Sequence, residues 1–363
     1  MSGSDVRGSL LRNLSANGRP SYELPGTNGG SALLVPDAGR VLALFGPGEG
    51  ESLIFVHPRL LAGVDESLDF LRQAVWKNLG GDRTWIGPEA DLHVGDLADP
   101  WGTLNVPTTV DPGNYVVQRE GGAIRLRNDA QVRLHRPKAD CDISVEKIVR
   151  MAPNPLRHEP SALSALGSVE YIGYDQVTRL HLLSAPRQDD GVCIWNLLVL
   201  PPGGDLIVPV LGPTRVRDFF RDKSRPDNLS QDDRYIRFRL TGCDLRKIGI
   251  RAAALVGRAG YVRPVGPDLW TLVVRSFSVN PSGEYVDVPW DEPTSLGWCF
   301  ESYNDRGEWG GFGELEYHTP AVGGQTGLSF YEDRSQVWAY RGPPSQIRAI
   351  GEMLLGQGCL ACR

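Results

Sequence analysis

Tyr235-Ile236-Arg237-Phe238-Arg239-Leu240 alternates apolar and polar side chains with a period of two. Successive side chains of an extended chain point to opposite faces, so this run reads as an antiparallel strand with one buried and one wet face. The same signal recurs outward from it. Upstream, Gly191-Val192-Cys193-Ile194-Trp195-Asn196-Leu197-Leu198-Val199-Leu200 is a largely apolar strand, and a Pro-Pro-Gly-Gly turn leads to another over 206–210. Residues 115–119 and 123–127 flank Glu120-Gly121-Gly122 as a hairpin, and strands follow over 132–135, 143–150, 169–172 and 177–183. Downstream, strands are expected over 248–255, 269–279, 285–288, 298–303, 313–318, 328–331 and 336–340. The chain opens as a β-meander over 32–35, 40–45 and 53–56, with Pro36-Asp37-Ala38-Gly39 as its first turn.

Helical spacing is confined to two stretches. Leu68, Phe70, Leu71, Val75 and Trp76 predict a helix over 66–78 that ends at Gly80-Gly81. Ile347, Ile350, Met353 and Leu354 predict a second near the C-terminus. Strands that do not alternate with helices disfavour Rossmann and TIM architectures and predict an all-β fold of two antiparallel sheets packed face to face. Residues 1–30 form an N-terminal extension with a candidate edge strand near 21–24, residues 31–343 one sandwich domain, and residues 344–363 a C-terminal helix and tail.

Apolar residues make up 41% and charged residues 23%, enough to build a core and unlike a disordered chain. A net charge of −6 disfavours a long nucleic-acid surface, and the arginines over 215–225 are interleaved with aspartates as on a solvated loop. The first residues lack a signal-peptide pattern and no apolar run has the length of a membrane span, so the reading is a soluble, cytoplasmic protein, monomer or homodimer. Cys141, Cys193, Cys243 and Cys299 read as buried free thiols; Cys359 and Cys362 form a CxxC without the context of a redox or zinc motif.

Two stretches carry chemistry. Around Gly80-Gly81, Asp82 and Glu89 can accept hydrogen bonds from hydroxyls, Arg83 offers a fixed fork of donors, and Trp85 presents a flat surface to the C–H face of a pyranose or is plain core. Extended geometry would also align Glu89, Asp91 and His93 as a metal set or as an ordinary polar face. Near the end, a strand over 313–318 would turn Glu314, Glu316 and His318 to one face and Leu315 and Tyr317 to the other. Two carboxylates in a shared cleft raise one pKa and prepare an acid or base near neutrality; the alternative is a solvated edge strand. Tyr303 and Asn304 add a phenol and an amide, and Glu301 shares the face of Tyr303. His181 is a candidate acid or a sheet residue, and Trp195 is core or cleft wall.

The order of four stretches resembles the galactose-mutarotase-like superfamily, in an uncharacterised bacterial branch related to aldose 1-epimerases. They are residues 35–44, Gly80-Gly81-Asp82-Arg83-Thr84-Trp85 through Pro88-Glu89, Ile194-Trp195-Asn196 through Pro201-Pro202-Gly203-Gly204, and Gly313-Glu314-Leu315-Glu316 with Thr319-Pro320. The resemblance implies an antiparallel β-supersandwich with few short helices and a carbohydrate cleft on one sheet. The early glycine stretch would be a cleft loop and the late acidic strand would lie beside the cleft. No histidine–proline pair of the kind aldose 1-epimerases carry near mid-chain occurs here.

The expected function is a carbohydrate-active enzyme of epimerase or lyase type, acting by proton transfer on a sugar or uronate. Glu314 or Glu316 would be the base, His181 or His318 the acid, and Arg83 the holder of substrate or developing charge. Asp82, Trp85, Glu89, Trp195, Glu301, Tyr303 and Asn304 would bind a mono- or oligosaccharide. No organic cofactor is required, and a divalent metal would accompany a uronate substrate. A non-catalytic carbohydrate-binding protein and a glycoside hydrolase are the alternatives.

Overall fold

A computed structural model describes residues 5–360, apart from 49, 74, 101, 186–190, 290 and 293. Two large antiparallel sheets face each other. The nine-stranded sheet runs, in spatial order, Tyr22–Pro25, Ser31–Val35, Arg40–Phe45, Asp82–Gly87, Cys193–Leu200, Gly313–His318, Phe300–Asn304, Arg246–Ile250 and Arg217–Arg221. The ten-stranded sheet runs Leu229–Gln231, Tyr235–Leu240, Gly204–Pro209, Arg258–Gly266, Leu269–Phe277, Phe330–Gly342, Glu170–Leu182, Ala139–Met151, Ala123–Leu134 and Val116–Glu120. Leu198, Leu200, Leu315 and Tyr317 of the first sheet meet Leu206, Val208, Phe238 and Val337 of the second in the main core. Alternation puts these side chains on the inner faces and sends their neighbours outward.

The elements differ from expectation where local pattern and tertiary packing disagree. The mid-chain helix is Val64–Arg72, shorter than the pattern over 66–78, because Gln73 is already extended and Val75 is exposed. Residues 82–87 are a central strand rather than a loop, paired through six positions with Cys193–Leu200. Gly80 and Gly81 lead into it with φ of 94° and 73°, and a Cβ there would meet the carbonyl oxygens of Phe55 and Val41 at 2.2 and 2.3 Å. Only glycine fits such a left-handed, close-packed entry. The expected strand over 53–56 is reduced to one bridge, Val56 to Gly80, and residues 285–288 lie outside any strand. The strands expected over 328–331 and 336–340 form one, Phe330–Gly342.

Near the N-terminus, Val6–Ala16 is a helix capped by Asp5, and its Leu10 and Leu14 pack with Leu33, Val35, Leu42 and Phe45. Tyr22–Pro25 is the edge strand of its sheet. The C-terminal helix Pro344–Leu355 covers the ten-stranded sheet through Ile347, Ile350 and Leu354. Cys141, Cys193 and Cys299 are buried free thiols as expected, whereas Cys243 is exposed; Cys359 is buried, and Cys362 lies outside the described residues. No helix among the described residues is long and apolar enough to cross a membrane, which does not bear on membrane β-barrels.

A polar island sits inside the sandwich. Arg275 and Asp82 form an ion pair of 2.8 Å with neither side chain exposed. The Tyr174 hydroxyl donates to Asp82 Oδ2 at 2.6 Å, and Lys147 donates to the Asp82 carbonyl at 3.2 Å. Burial pushes the Lys147 ammonium down to about 8, with Asp82 opposing and Arg275 and Arg40 assisting. The unfolded chain therefore binds more protons than the native one between about pH 8 and the ordinary lysine range, and stability rises with pH across that window. Below it the charged lysine costs the fold up to about 3 kcal/mol. Lys147→Met is thus expected to raise the unfolding free energy measured with urea at pH 7 by about 1–3 kcal/mol, with the gain shrinking toward pH 10. A lower value at pH 7 would show that the ammonium stabilises the island.

Candidate functional site

The outward face of the nine-stranded sheet carries the site. Cross-strand register places Arg83 beside Leu197, Trp85 beside Trp195, Glu316 beside both Leu197 and Glu301, His318 beside Trp195, and Tyr303 beside Lys247. Residues paired in register share a face, so five strands contribute to one surface. Above it lies a cleft of about 1200 Å³ whose lining includes Trp76, Arg83, Trp85, Glu89, His93, Trp195, Lys247, Tyr303, Trp309, Glu314 and Glu316.

Aromatic rings form its walls. Trp76, Trp85 and Trp309 make a chain of ring contacts, each with centroids 5.2 Å apart. Asp111 Oδ2 anchors two of these indoles, accepting Nε1–H from both Trp76 and Trp85 at 3.0 Å while paired with Arg40. The Arg83 guanidinium lies over Trp85 at 4.2 Å. Trp309 is held by Asp305, whose Oδ2 accepts the backbone N–H groups of Gly307, Trp309 and Gly311 at 3.0–3.2 Å. Asp305→Ala is expected to cost about 1–3 kcal/mol by stranding these donors. Amide exchange over 306–311 should quicken first; unchanged protection there would contradict this role.

The acids are organised by cations. Glu314 pairs with Arg83 at 2.7 Å. Glu316 accepts the indole N–H of Trp195 at 3.0 Å. Burial pushes the Glu316 carboxyl up to about 8; Lys247 opposes the rise, and Glu314, Glu301 and Glu89 add to it. Its protonated form is thus favoured well above the ordinary carboxylate range. Lys247 bonds Glu89 and Glu301, both at 2.8 Å. Burial works against its charge, but Glu301, Glu89 and Glu316 together hold its pKa well above the usual lysine value. His93 stacks on Trp85 at 4.8 Å and shares a bond of 3.2 Å with the Ile86 carbonyl oxygen. Burial pushes its imidazole down to about 4, so the ring is neutral.

The candidates from sequence divide into groups. Arg83, Trp85, Glu89, Trp195, Tyr303, Glu314 and Glu316 line the cleft together. Glu301 and His318 share the face but are fully buried, with the His318 ring stacked against Trp195 at 5.1 Å. Burial opposes the imidazolium, while Asp287, Cys193 and Glu301 hold the His318 pKa well above its ordinary value.

Three expected placements are corrected. Asp82, next to Arg83 on a strand, points the other way into the Arg275 pair. Asn304 also faces away from the cleft, binding the Gly242 N–H, Thr241 and the Asp244 carbonyl. His181 is exposed on the ten-stranded sheet, against Phe330, across the sandwich from the acids. Glu89, Asp91 and His93 do not converge either, because Glu89–Leu92 is a helical turn; Asp91 turns to Arg136 at 2.7 Å.

Sequence reasoning missed Lys247, Trp76, Trp309 and Asp111 as site residues. Lys247 had a signal: a cation on an apolar strand that the sheet buries. Trp76 had a misleading one, since helical spacing assigned it to a core.

The molecule is thus an antiparallel two-sheet sandwich with an aromatic-walled, acidic cleft on one outer face. A family model described as a family of unknown function, DUF6786, matches residues 40–359, and the chain belongs to that family. Among solved structures it is similar to a putative aldose 1-epimerase from Escherichia coli K12, at 8% identity and a TM-score of 0.47 over 89% of this chain and 100% of that one. It is also similar to a galactose mutarotase related enzyme from Lactobacillus acidophilus, at 10% identity and a TM-score of 0.42 over 90% and 98% of the two chains. A third is galactose 1-epimerase from Lactobacillus acidophilus NCFM, at 7% identity and a TM-score of 0.36 over 88% and 93%. No curated protein sequence matches the chain.

Proposed function

We propose that the cleft binds a sugar and that Glu316 exchanges a proton with it, making the protein a carbohydrate-active enzyme of epimerase type. The observation that carries this reading is the pair Glu314 and Glu316 on one strand face, one carboxyl tied to Arg83 and the other pushed up to about 8. Environments that separate two like groups give one acid and one base at the same pH. Glu316 would be the proton donor and Glu314 the acceptor, with Arg83 steadying the charge. In anomer interconversion the acceptor removes the anomeric hydroxyl proton as the donor protonates the ring oxygen; the C1–O5 bond opens and closes again on the other face. The indoles of Trp85, Trp76 and Trp309 suit the apolar face of a pyranose. The donor passes from histidine to Glu316 in this reading because His318 lies under Trp195 and His181 on the other sheet.

The test is a panel of aldoses and uronates followed by NMR for anomer exchange, with release of unsaturated products recorded in parallel. Catalysed exchange for at least one sugar is expected. Saturable binding without any turnover would favour a carbohydrate-binding protein instead, a reading to which the already satisfied Arg83–Glu314 pair lends some weight. Neither binding nor turnover would end the proposal.

A further inference from the structure

Beneath Trp195 lies a second group of side chains that the proton chemistry above does not use. His318, Glu301 and Asp287 each offer a ligand atom, and these atoms all lie within 4.8 Å of one another. The three residues come from the strands Gly313–His318 and Phe300–Asn304 and from the segment before the second of these. All are buried, with 0%, 0% and 2% of their surface exposed. His318 Nε2 is 3.4 Å from Glu301 Oε2 and 3.8 Å from Asp287 Oδ2.

We propose that this group is a structural site for a divalent cation of the zinc class, held by His318 Nε2 and one carboxylate oxygen each from Glu301 and Asp287. One imidazole with two carboxylates is a donor set that zinc accepts. Bonds of about 2.0–2.2 Å in a tetrahedral arrangement place ligand atoms about 3.4 Å apart, so binding requires the three groups to draw together by up to about 1.4 Å. A supporting shell is in place. Asp287 Oδ1 accepts the Glu89 N–H at 2.6 Å, and Cys193 Sγ lies 3.7 Å from His318 Nδ1, on the far side of the ring from the acids. Outer contacts of this kind orient metal ligands.

The surroundings of Glu301 point to a missing positive partner. Glu301 is fully buried, yet its Oε1 has no hydrogen-bond partner; such an atom is costly to leave unpaired. Three carboxylates, Glu89, Glu301 and Asp287, crowd this corner, and Lys247 bonds only the first two. A divalent ion bound at Nε2 would give Asp287 and Glu301 a shared positive partner, with any proton on Nε2 released to solvent. Lys247 is the rival cation, bonded to Glu301 Oε2.

The experiment uses the full chain, stripped with chelator and dialysed, with Zn²⁺ alone as the probe. Calorimetry should show one tight equivalent, and elemental analysis after gel filtration should recover it. His318→Gln should weaken uptake at least 100-fold. Lys247→Met, which removes the rival, should retain or tighten uptake, by up to about 10-fold. Absence of stoichiometric uptake by the stripped wild-type chain would overturn the site, as would uptake unchanged by His318→Gln. Because the readout is metal content, these outcomes stand apart from any failure of the sugar reading.

Discussion

Asp82→Ala is expected to destabilise the protein by about 3–5 kcal/mol, while chain that remains folded keeps its cleft intact. The carboxylate is fully buried and its loss leaves the Arg275 guanidinium uncompensated inside the sandwich. Breaking a buried pair by removing one member costs far more than the pair contributes, because the remaining charge has no water. Tyr174 would lose its acceptor as well. The double variant Asp82→Leu with Arg275→Met should recover most of the loss, since an apolar pair of similar volume is often neutral or stabilising. Urea denaturation of the wild type and these two variants measures both effects. A loss under about 1 kcal/mol for Asp82→Ala, or a double variant no better than the single, would contradict the account. Ligand binding should be unaltered in the folded double variant, because the side chain points away from the cleft.

The second large effect is on turnover. Glu316→Gln is expected to lower kcat for the responsive sugar by about 10²- to 10⁴-fold, the span typical of a lost proton-transfer group. Glutamine resembles the protonated carboxyl in shape, so KM should move little. The sign of the pH dependence follows from the direction of the shift. A carboxyl pushed up to about 8 is a donor below that pH and loses its proton above it. Wild-type kcat should therefore fall on the alkaline side near pH 8, and the residual activity of Glu316→Gln should lack that limb. A rate that instead rises through pH 8 would make Glu316 the base and reverse the two carboxylate roles. Undiminished turnover in Glu316→Gln would remove it from the chemistry.

Much of this arrangement was legible before any coordinates, for a definite reason. Period-two geometry is a local property, so the shared face of Glu314, Glu316 and His318 could be read from six residues. The same rule separated Leu315 and Tyr317 into the core. It was misapplied at Asp82 and Arg83, where neighbours on a strand were assigned to one cleft because the segment was read as a loop. Sheet membership is not local. Nothing around His181 distinguishes a strand of one sheet from a strand of the other, and that choice put the imidazole on the far side of the sandwich. Nor does Lys247 announce its partners: Glu89 and Glu301 reach it only through the order in which the strands pair. The N-terminal helix escaped notice because Leu10 and Leu14 are few apolar residues in a polar stretch, and tertiary docking rather than propensity holds them.

The ion pair between Arg83 and Glu314 joins positions 231 apart in the chain. During synthesis the first half of the cleft must therefore wait, with its guanidinium unmatched, for a strand made near the end. Closing so long a loop is entropically expensive, and folds dominated by such distant pairings assemble slowly. Until the late acidic strand slots between Cys193–Leu200 and Phe300–Asn304, two open strand edges stand exposed. The strand that completes the pocket is also the one that closes the sheet, so a nascent chain that stalls before residue 313 carries both an aggregation hazard and an unfinished site.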